Sequence, residues 1–265
     1  MQSGSIWGDS MDRSEIKVCV LRIEGTNNED EMYYAFKRLG ASPELVHLKD
    51  LKDIFDYNCL MIPGGFSAGD YVRAGAIFAS RIRARMANDL HKFIDEGWPV
   101  GGICNGFQVL VELGVLPGFK RMDYPDACLF LNDSARFECR PTLLKHENKG
   151  KCVFTRDIPK GEVMLVPSAH GEGKLLFPRE KEKEYFDRLF ENDQVVFRYV
   201  DKNGEYAGYP WNPNGSAHNI AGICNEAGNV FGMMPHPERA YFDKNKNGIS
   251  GMKLFESVLK YIEEK

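Results

Sequence analysis

Short apolar runs alternate with longer amphipathic runs along the first half of the chain. Four apolar runs predict the strands of a buried sheet, at residues 16–23, 45–48, 59–62 and the run that leads into Cys104. Apolar positions at helical spacing predict helices between them, from Asn27 or Asn28 to Leu39, over residues 77–96 and over residues 105–113. Strands that alternate with helices are typical of an α/β fold, an open and mostly parallel sheet with helices on both faces.

The second half of the chain has shorter apolar runs, several of them separated by turn sequences such as Asn203-Gly204. They predict extra antiparallel strands over residues 134–141, 153–155, 163–166, 195–200, 221–224 and 230–234. Two amphipathic runs predict helices over residues 179–190 and 252–263. Because no linker-like stretch or repeat interrupts the pattern, we predict one domain over residues 11–265, with residues 1–10 as a leader or tag-like tail.

Composition narrows the classes of protein to consider. The chain has 265 residues, of which 43% are apolar and 27% charged, as expected for a globular protein. Its net charge of −4 is dispersed, and no apolar run approaches the length of a membrane span, so we expect neither nucleic-acid nor membrane binding. Seven cysteines without a Cys-x-x-Cys pair argue against a disulfide framework or a metal site and favour a reducing compartment, the cytoplasm.

The first candidate for chemistry is a cysteine at the junction between a predicted strand and a predicted helix. Cys104 lies in a Gly-x-Cys-x-Gly setting, with Gly102 and Gly106 on either side. This is the pattern of a nucleophile elbow, in which glycines allow the tight turn and the approach of a substrate. The amino end of the following helix favours a thiolate. A buried structural cysteine is the alternative reading of the same position.

A cysteine nucleophile needs a base, and the base needs a group that orients it. His236 and Glu238 follow a predicted strand with one residue between them, so their side chains should project to the same side. Glu238 can then accept a hydrogen bond from one ring nitrogen while the other faces the thiol. His170, in a glycine-rich segment, is the main rival for the base, and a surface histidine remains the alternative for each.

Acyl transfer also needs backbone N–H groups where negative charge develops on oxygen. Asn105, the residue after the cysteine, supplies one such donor. A second is expected from a glycine-rich turn at a neighbouring strand end, and Gly65 in Pro63-Gly64-Gly65 meets that requirement. A tight loop without a catalytic role is the alternative for this turn.

Four blocks of sequence, in this order, carry a resemblance to a known family: residues 64–75, 102–108, 169–173 and 229–240. Together they resemble the class I glutamine amidotransferases, which use a Cys-His-Glu triad. The match is closest to the glutaminase subunits of phosphoribosylformylglycinamidine synthase, an enzyme of purine biosynthesis. It extends from about residue 16 to the last residue of the chain.

The resemblance implies a role for each matched position. It implies that Cys104 attacks the side-chain amide of L-glutamine, that His236 moves the proton and that Glu238 orients His236. It also implies that Gly65 and Asn105 form an oxyanion hole. The substrate-binding positions that it implies are Gly64, Gln108 and the backbone near Phe137.

The resemblance further implies partners. The ammonia would pass to a separate large synthetase subunit that binds ATP, Mg²⁺ and formylglycinamide ribonucleotide, and a further small subunit would complete the complex. No cofactor and no metal are expected in this chain itself. A glutaminase that serves another synthetase, a catalytically silent assembly subunit and a cysteine hydrolase on the same sheet are the alternative interpretations. The intact Cys104, His236 and Glu238 disfavour the silent subunit.

Overall fold

The computed structural model describes residues 11–120, 124–240 and 251–265, and the predicted leader at residues 1–10 lies outside this range. The described strands are β1 (Lys17–Arg22), β2 (Ser42–His47), β3 (Cys59–Ile62), β4 (Val100–Ile103), β5 (Cys128–Leu131), β6 (Glu138–His146), β7 (Val163–His170), β8 (Glu172–Leu176), β9 (Val195–Val200), β10 (Ile220–Cys224) and β11 (Val230–Met233). The described α-helices are α1 (Glu29–Arg38), α2 (Ala76–Asp95), α3 (Asn105–Glu112), α4 (Glu182–Glu191) and α5 (Met252–Glu263).

Nine of these strands form one mixed sheet in the order β2-β1-β3-β4-β11-β10-β9-β6-β7, and β5 pairs with β8 in a second, two-stranded sheet. All pairings from β2 to β11 are parallel, whereas all pairings from β11 to β7 are antiparallel. The predicted α/β fold with added antiparallel strands is therefore confirmed. The carboxyl ends of β1, β3, β4 and β11 lie together at one edge of the parallel part, where reactive groups collect in such sheets.

The parallel strands are the centre of the core. Every residue of β3 and β4 is buried, and the helices α1 and α5 pack on each other through Phe36 and Phe255, whose rings are 5.2 Å apart. The apolar runs of β3 and β4 are buried on both faces, which explains why these two strands are readable from the sequence to within a residue or two. The predicted helix over residues 252–263 is also confirmed as α5.

The second half differs from the prediction in several places. Residues 153–155 form turns instead of a strand, and they are buried because Phe154 packs on Phe231 with a ring distance of 5.3 Å. The predicted strand 134–141 begins later, at Glu138, and extends to His146. Pro141 is tolerated there because it pairs only with β7, before β6 begins to pair with β9.

The strands β5 and β8 are absent from the prediction. Two residues of β5, Phe130 and Leu131, are about half exposed, so the run lacks the buried periodicity that identifies a strand. Beyond residue 166, the strand β7 continues to His170, and β8 follows after a single residue.

The antiparallel half turns back towards the parallel half. Three strands separate β7 from β11 in the sheet, yet Pro167 of β7 accepts a 2.8 Å hydrogen bond from the backbone N–H of His236, just after β11. The end of β7 consequently lies beside the carboxyl ends of β4 and β11 and forms one wall of the candidate site.

Candidate active site

Cys104 is the corner residue between β4 and α3. Its backbone has φ 52° and ψ −108°, a left-handed value that is strained for a residue with a side chain. Its N–H donates to Met233 of β11 at 2.8 Å, which ties the corner to the neighbouring strand. This is the geometry predicted for a nucleophile elbow, and strain of this kind persists only where the surroundings hold it.

The two flanking glycines make that corner possible. A Cβ atom on Gly102 would lie 2.4 Å from the carbonyl oxygen of Gly106, and one on Gly106 would lie 1.9 Å from the carbonyl oxygen of Ile62. Both separations are far below contact distance, so no other residue fits at either position without moving the backbone. The steric reason given for the Gly-x-Cys-x-Gly pattern is confirmed at both positions.

His236 and Glu238 form a buried pair. The ring Nδ1 of His236 is 2.7 Å from Oε1 of Glu238, and the two residues are 1% and 0% exposed. The pairing does not come from strand alternation, as the sequence suggested. It comes from a single 3-10 turn, Pro237–Arg239, which begins directly after His236 and folds the carboxylate back onto the ring.

The surroundings of His236 set its charge. Burial acts to lower the pKa of the imidazole, but the charges of Glu238 and Cys104, with the hydrogen bond to Glu238, raise it to about 10. The imidazolium is therefore the favoured form at neutral pH. A positive ring beside the sulfur keeps a proton ready for a leaving group.

Gly64 lies between Cys104 and His236. A Cβ atom there would approach Cε1 of His236 to 2.8 Å and Cβ of Cys104 to 3.3 Å. The carbonyl oxygen of Gly64 accepts hydrogen bonds from the N–H groups of Asn27 and Asn28, at 3.4 and 3.2 Å, which fixes the orientation of the peptide that carries the Gly65 N–H. Gly65 has φ 137°, a value that favours glycine.

Asn105 is the first residue of α3, and its side chain is held from several directions. Its Oδ1 accepts from the N–H of Ser67 at 3.3 Å, while its Nδ2 donates to Asp70 at 3.2 Å and to Gln108 at 3.0 Å. Gln108 in turn donates from Nε2 to the carbonyl oxygen of Glu172 at 2.8 Å. The amide of Gln108 thus braces the elbow, and its predicted contact with substrate stays a prediction.

A cleft of about 260 Å³ opens beside the sulfur of Cys104. Its walls come from the ends of β1, β3, β4, β7 and β11 and from neighbouring loops, and the lining residues are Asn27, Asn28, Glu31, Gly65, Phe66, Cys104, Phe137, Cys139, Ala169, His236 and Arg239. Four predicted positions, Gly65, Cys104, Phe137 and His236, are therefore brought to one cavity. Its volume is small compared with the roughly 300–1,000 Å³ of drug-sized sites, as suits an amino-acid-sized molecule.

Sequence reasoning missed four polar residues of this cleft. Asn27 and Glu31 follow the carboxyl end of β1, and Arg239 lies 3.8 Å from Glu31 across the opening. Asn28 occupies the predicted cap position of α1, but its side chain makes no capping hydrogen bond and instead faces Gly64. Their position after a parallel strand was the available signal, because such strand ends meet at the site.

His170, the rival for the base, lies outside the lining of this cleft. Its Nδ1 is 3.1 Å from Oδ1 of Asn132. The Nδ2 of Asn132 donates to two carbonyl oxygens, so Oδ1 is the atom of Asn132 that accepts from His170. Burial, together with the nearby positive charge of His236, lowers the pKa of His170 to about 3. An imidazole that does not take up a proton near neutral pH is poorly suited to act as the base.

The described residues contain no group of three or more His, Cys, Asp or Glu side chains placed to hold a metal ion. Among the helices that the structure describes, none has the length and apolar character needed to cross a membrane.

Comparisons with known proteins agree with this geometry. Residues 15–262 match the model of the CobB/CobQ-like glutamine amidotransferase domain. The chain is 54% identical, over 272 aligned positions, to phosphoribosylformylglycinamidine synthase subunit PurQ of Archaeoglobus fulgidus, covering 96% of this chain and 100% of that protein. It is 51% identical to the PurQ subunit of Picrophilus torridus over 88% of this chain and 90% of that one.

A solved structure described as PurLQS from Thermotoga maritima is similar with a TM-score of 0.73 and 36% identity, over 94% of this chain and 99% of that chain. The fold and the sequence thus lead to the same group of proteins. The chain belongs to the glutamine amidotransferase family and, within it, to the PurQ subunits of phosphoribosylformylglycinamidine synthase.

Proposed function

We propose that this chain hydrolyses L-glutamine through a thioester on Cys104 and supplies the ammonia to a separate ATP-dependent synthetase that makes formylglycinamidine ribonucleotide. One observation carries the proposal. A cysteine on a strained elbow, beside a buried His236–Glu238 pair with an Nδ1–Oε1 distance of 2.7 Å, opens into a cleft of amino-acid size.

The first half-reaction forms the thioester. The sulfur of Cys104 attacks the side-chain amide carbon of glutamine, and the carbonyl oxygen becomes negative. We propose that the N–H groups of Gly65 and Asn105 stabilise this oxyanion, because hydrogen-bond donors that are already oriented need no reorganisation when the charge develops. His236, protonated at neutral pH, gives its proton to the amide nitrogen, and ammonia leaves.

The second half-reaction regenerates the enzyme. A water molecule attacks the thioester, His236 takes a proton from that water, and glutamate leaves as the carbon–sulfur bond breaks. Glu238 keeps the ring oriented through both steps and stabilises its positive form. The sum is glutamine and water giving glutamate and ammonia, so this chain needs no redox group and no bound nucleotide for its part.

The partners follow from the family. The PurQ name of the relatives and the PurLQS description of the similar structure support a complex with a large synthetase subunit and a further small subunit. We propose that ATP and Mg²⁺ act on the synthetase, whereas this chain uses neither. The seven free cysteines, one of them the proposed nucleophile, support a location in the cytoplasm, where thiols stay reduced.

The test is the Cys104→Ala variant in the assembled complex. Glutamine-dependent synthesis should be lost, while synthesis from added ammonium salt should continue, since the synthetase site is untouched. Cys139→Ala is a matched control, because Cys139 is exposed and lines the same cleft. Loss of both activities in a correctly assembled complex, or glutamine-dependent activity without Cys104, would show that the division of roles is wrong.

A further inference from the structure

A second buried histidine lies close to the cleft and takes no part in the proposed chemistry. His170 is the last residue of β7 and is 2% exposed. Within the described part of the chain, no hydrogen-bond partner is present for its Nε2. Because a buried polar atom without a partner is destabilising, the reason for an imidazole at this position must lie in its other nitrogen, Nδ1.

That nitrogen holds the side chain of Asn132, which is also 2% exposed. The Nδ2 of Asn132 donates to the carbonyl oxygen of Arg136 at 2.9 Å and to that of His170 at 2.8 Å. With both of its N–H groups in use on one side and Nδ1 of His170 donating to its oxygen on the other, the amide of Asn132 has a fixed orientation.

Asn132 controls the connection between β5 and β6, here called the 132–137 loop. Besides the bond to Arg136, its backbone N–H donates to the carbonyl oxygen of Gly171 at 2.9 Å, and its carbonyl oxygen accepts from the N–H of Ala135 at 2.8 Å. Ala135 has φ 51°, a left-handed conformation that is unfavourable for alanine. The hydrogen bonds around Asn132 therefore stabilise a loop conformation that the chain would not adopt unaided.

The last residue of this loop, Phe137, lines the cleft beside Cys104. The peptide group that joins Arg136 to Phe137 is planar, and its C=O and N–H point in opposite directions. Because Asn132 holds the carbonyl oxygen, the N–H of Phe137 is directed to the other side of the peptide. The backbone near Phe137 is a predicted substrate-binding position, so the direction of this N–H depends on the contact between His170 and Asn132.

His170 suits this task because its ring is neutral. Burial, with the nearby charge of His236, lowers the pKa of His170 to about 3. A neutral ring donates from Nδ1 without placing a second positive charge beside His236, whose proton the proposed reaction needs. In the ladder between β6 and β7, His170 also lies directly opposite Glu138, the residue that follows the loop.

We propose that His170 and Asn132 are positioning residues, which hold the end of the 132–137 loop so that the N–H of Phe137 faces the substrate glutamine. The inference rests on the proposed function and adds to it two residues that set the affinity for glutamine without touching the reacting atoms. It gives the rival for the base a role in substrate binding in place of proton transfer.

The first test is the His170→Phe variant in the assembled complex, because phenylalanine keeps a ring in the site but has no Nδ1. The KM for glutamine should rise at least about tenfold, which corresponds to about 1.4 kcal/mol, while kcat stays within about threefold of wild type. Synthesis from added ammonium salt should be unchanged.

His146→Phe is the matched control. His146 is 0% exposed, its Nδ1 lies 3.2 Å from the carbonyl oxygen of Pro159, and its Nε2 also has no partner among the described residues, but it does not line the cleft. This variant removes an equally buried imidazole, so it should lower stability while leaving both KM and kcat at their wild-type values.

The second test is rescue by His170→Asn. The Nδ2 of asparagine takes nearly the place of Nδ1 and can donate to Oδ1 of Asn132. The KM of this variant should return to within about threefold of wild type, although asparagine fills the buried space less well than phenylalanine. A role in packing alone predicts the opposite order of the two variants.

The third test separates substrate binding from the nucleophile. Alkylation of Cys104 in the isolated chain is followed by peptide mass spectrometry with two reagents, iodoacetamide and the diazo ketone analogue of glutamine. Only the second reagent has the amino-acid end of the substrate. In His170→Phe its labelling rate at subsaturating concentration should fall about tenfold, whereas the rate with iodoacetamide should equal that of the wild-type chain.

Several outcomes would overturn the inference and leave the proposed function in place. These are an unchanged KM in folded His170→Phe, an equal rise of KM in His146→Phe, no rescue by His170→Asn, or a fall in kcat at constant KM, which would place His170 in the chemistry. If His170→Phe does not fold, Asn132→Asp replaces it, because aspartate keeps the shape but cannot donate to the two carbonyl oxygens, and a normal KM there would be equally decisive. A wild-type complex that does not hydrolyse glutamine would overturn both proposals.

Discussion

The Glu238→Gln substitution tests the charge that we assign to His236. Glutamine has nearly the shape of glutamate, so the buried site is not emptied, but the negative charge 2.7 Å from Nδ1 disappears. The amide can also present its NH₂ to Nδ1, which favours the other tautomer of the ring. Both changes act on the proton that the leaving amide nitrogen needs.

The expected size of the effect follows from the pKa of His236. Interactions with Glu238 and Cys104 overcome the effect of burial and move that pKa from 6.5 to about 10, which corresponds to about 5 kcal/mol in favour of the imidazolium. Since a positioned general acid or base contributes typically about 10²–10⁴-fold to a rate, the loss of this charge together with the wrong tautomer should lower kcat about 10²–10³-fold. Because burial still lowers the pKa of His236, the imidazolium should be lost at a lower pH than in the wild-type chain.

The assay is glutamate release from glutamine by the complex, measured across pH 6–10 for the wild-type chain and the variant. The alkaline limb of the pH profile of kcat should move to lower pH in Glu238→Gln. Glu31→Gln, in which a partly exposed carboxylate of the same cleft is neutralised, is the matched control and should keep the limb in place. A variant that stays within about threefold of wild type, with an unmoved alkaline limb, would refute the reasoning.

Three further substitutions probe the elbow and its surroundings. Gly106→Ala places a methyl group 1.9 Å from the Ile62 carbonyl oxygen, so urea titration should show a loss of more than about 3 kcal/mol of unfolding free energy, and near-normal stability would contradict this. Gly64→Ala puts its methyl 2.8 Å from the His236 ring, so kcat should fall by more than stability does, which parallel kinetics and unfolding would check. Burial, with a nearby carboxylate, raises the pKa of Asp70 from 3.8 to about 6, so the native state holds a proton that the unfolded state releases, and stability falls as pH rises through that window. Asp70→Asn should therefore match wild type near pH 4 and be more stable by about 1 kcal/mol at pH 8, after discounting for solvent at this half-exposed site, and an equal difference at both pH values would exclude this origin.

The parallel half and the elbow could be predicted because their signals are local. The strand Cys59–Ile62 is buried on both faces, so its apolar run marks it without any knowledge of its neighbours. The elbow is equally local, since the need for glycine at positions 102 and 106 arises from atoms of the same turn and of the adjacent strand. The sequence correctly predicts that His236 and Glu238 form a pair, although a 3-10 turn and not strand alternation brings them together.

The antiparallel half could be predicted only in part because its strands are paired by tertiary context. The strand β5 is half exposed, so the pattern of apolar residues fails to predict it. The run at residues 153–155 is buried in turns, so the same pattern predicts a strand that does not form. The brace formed by Asn105, Asp70 and Gln108 was beyond sequence reasoning for a different reason. Its members lie up to 38 positions apart, and only the fold shows that their amide and carboxyl groups meet.

The return of β7 explains why the antiparallel strands are part of the site. The carboxyl ends of the parallel strands position His236 and Cys104, the proposed nucleophile, and one side of the sulfur faces a strand of the antiparallel half. The end of β7 closes that side, with the Ala169 carbonyl oxygen 3.6 Å from Sγ of Cys104 and the Pro167 carbonyl oxygen holding the backbone of His236. Because a less hydrated cleft strengthens the interactions among the thiol, the imidazolium and Glu238, we expect this added wall to let the proposed triad act as a unit.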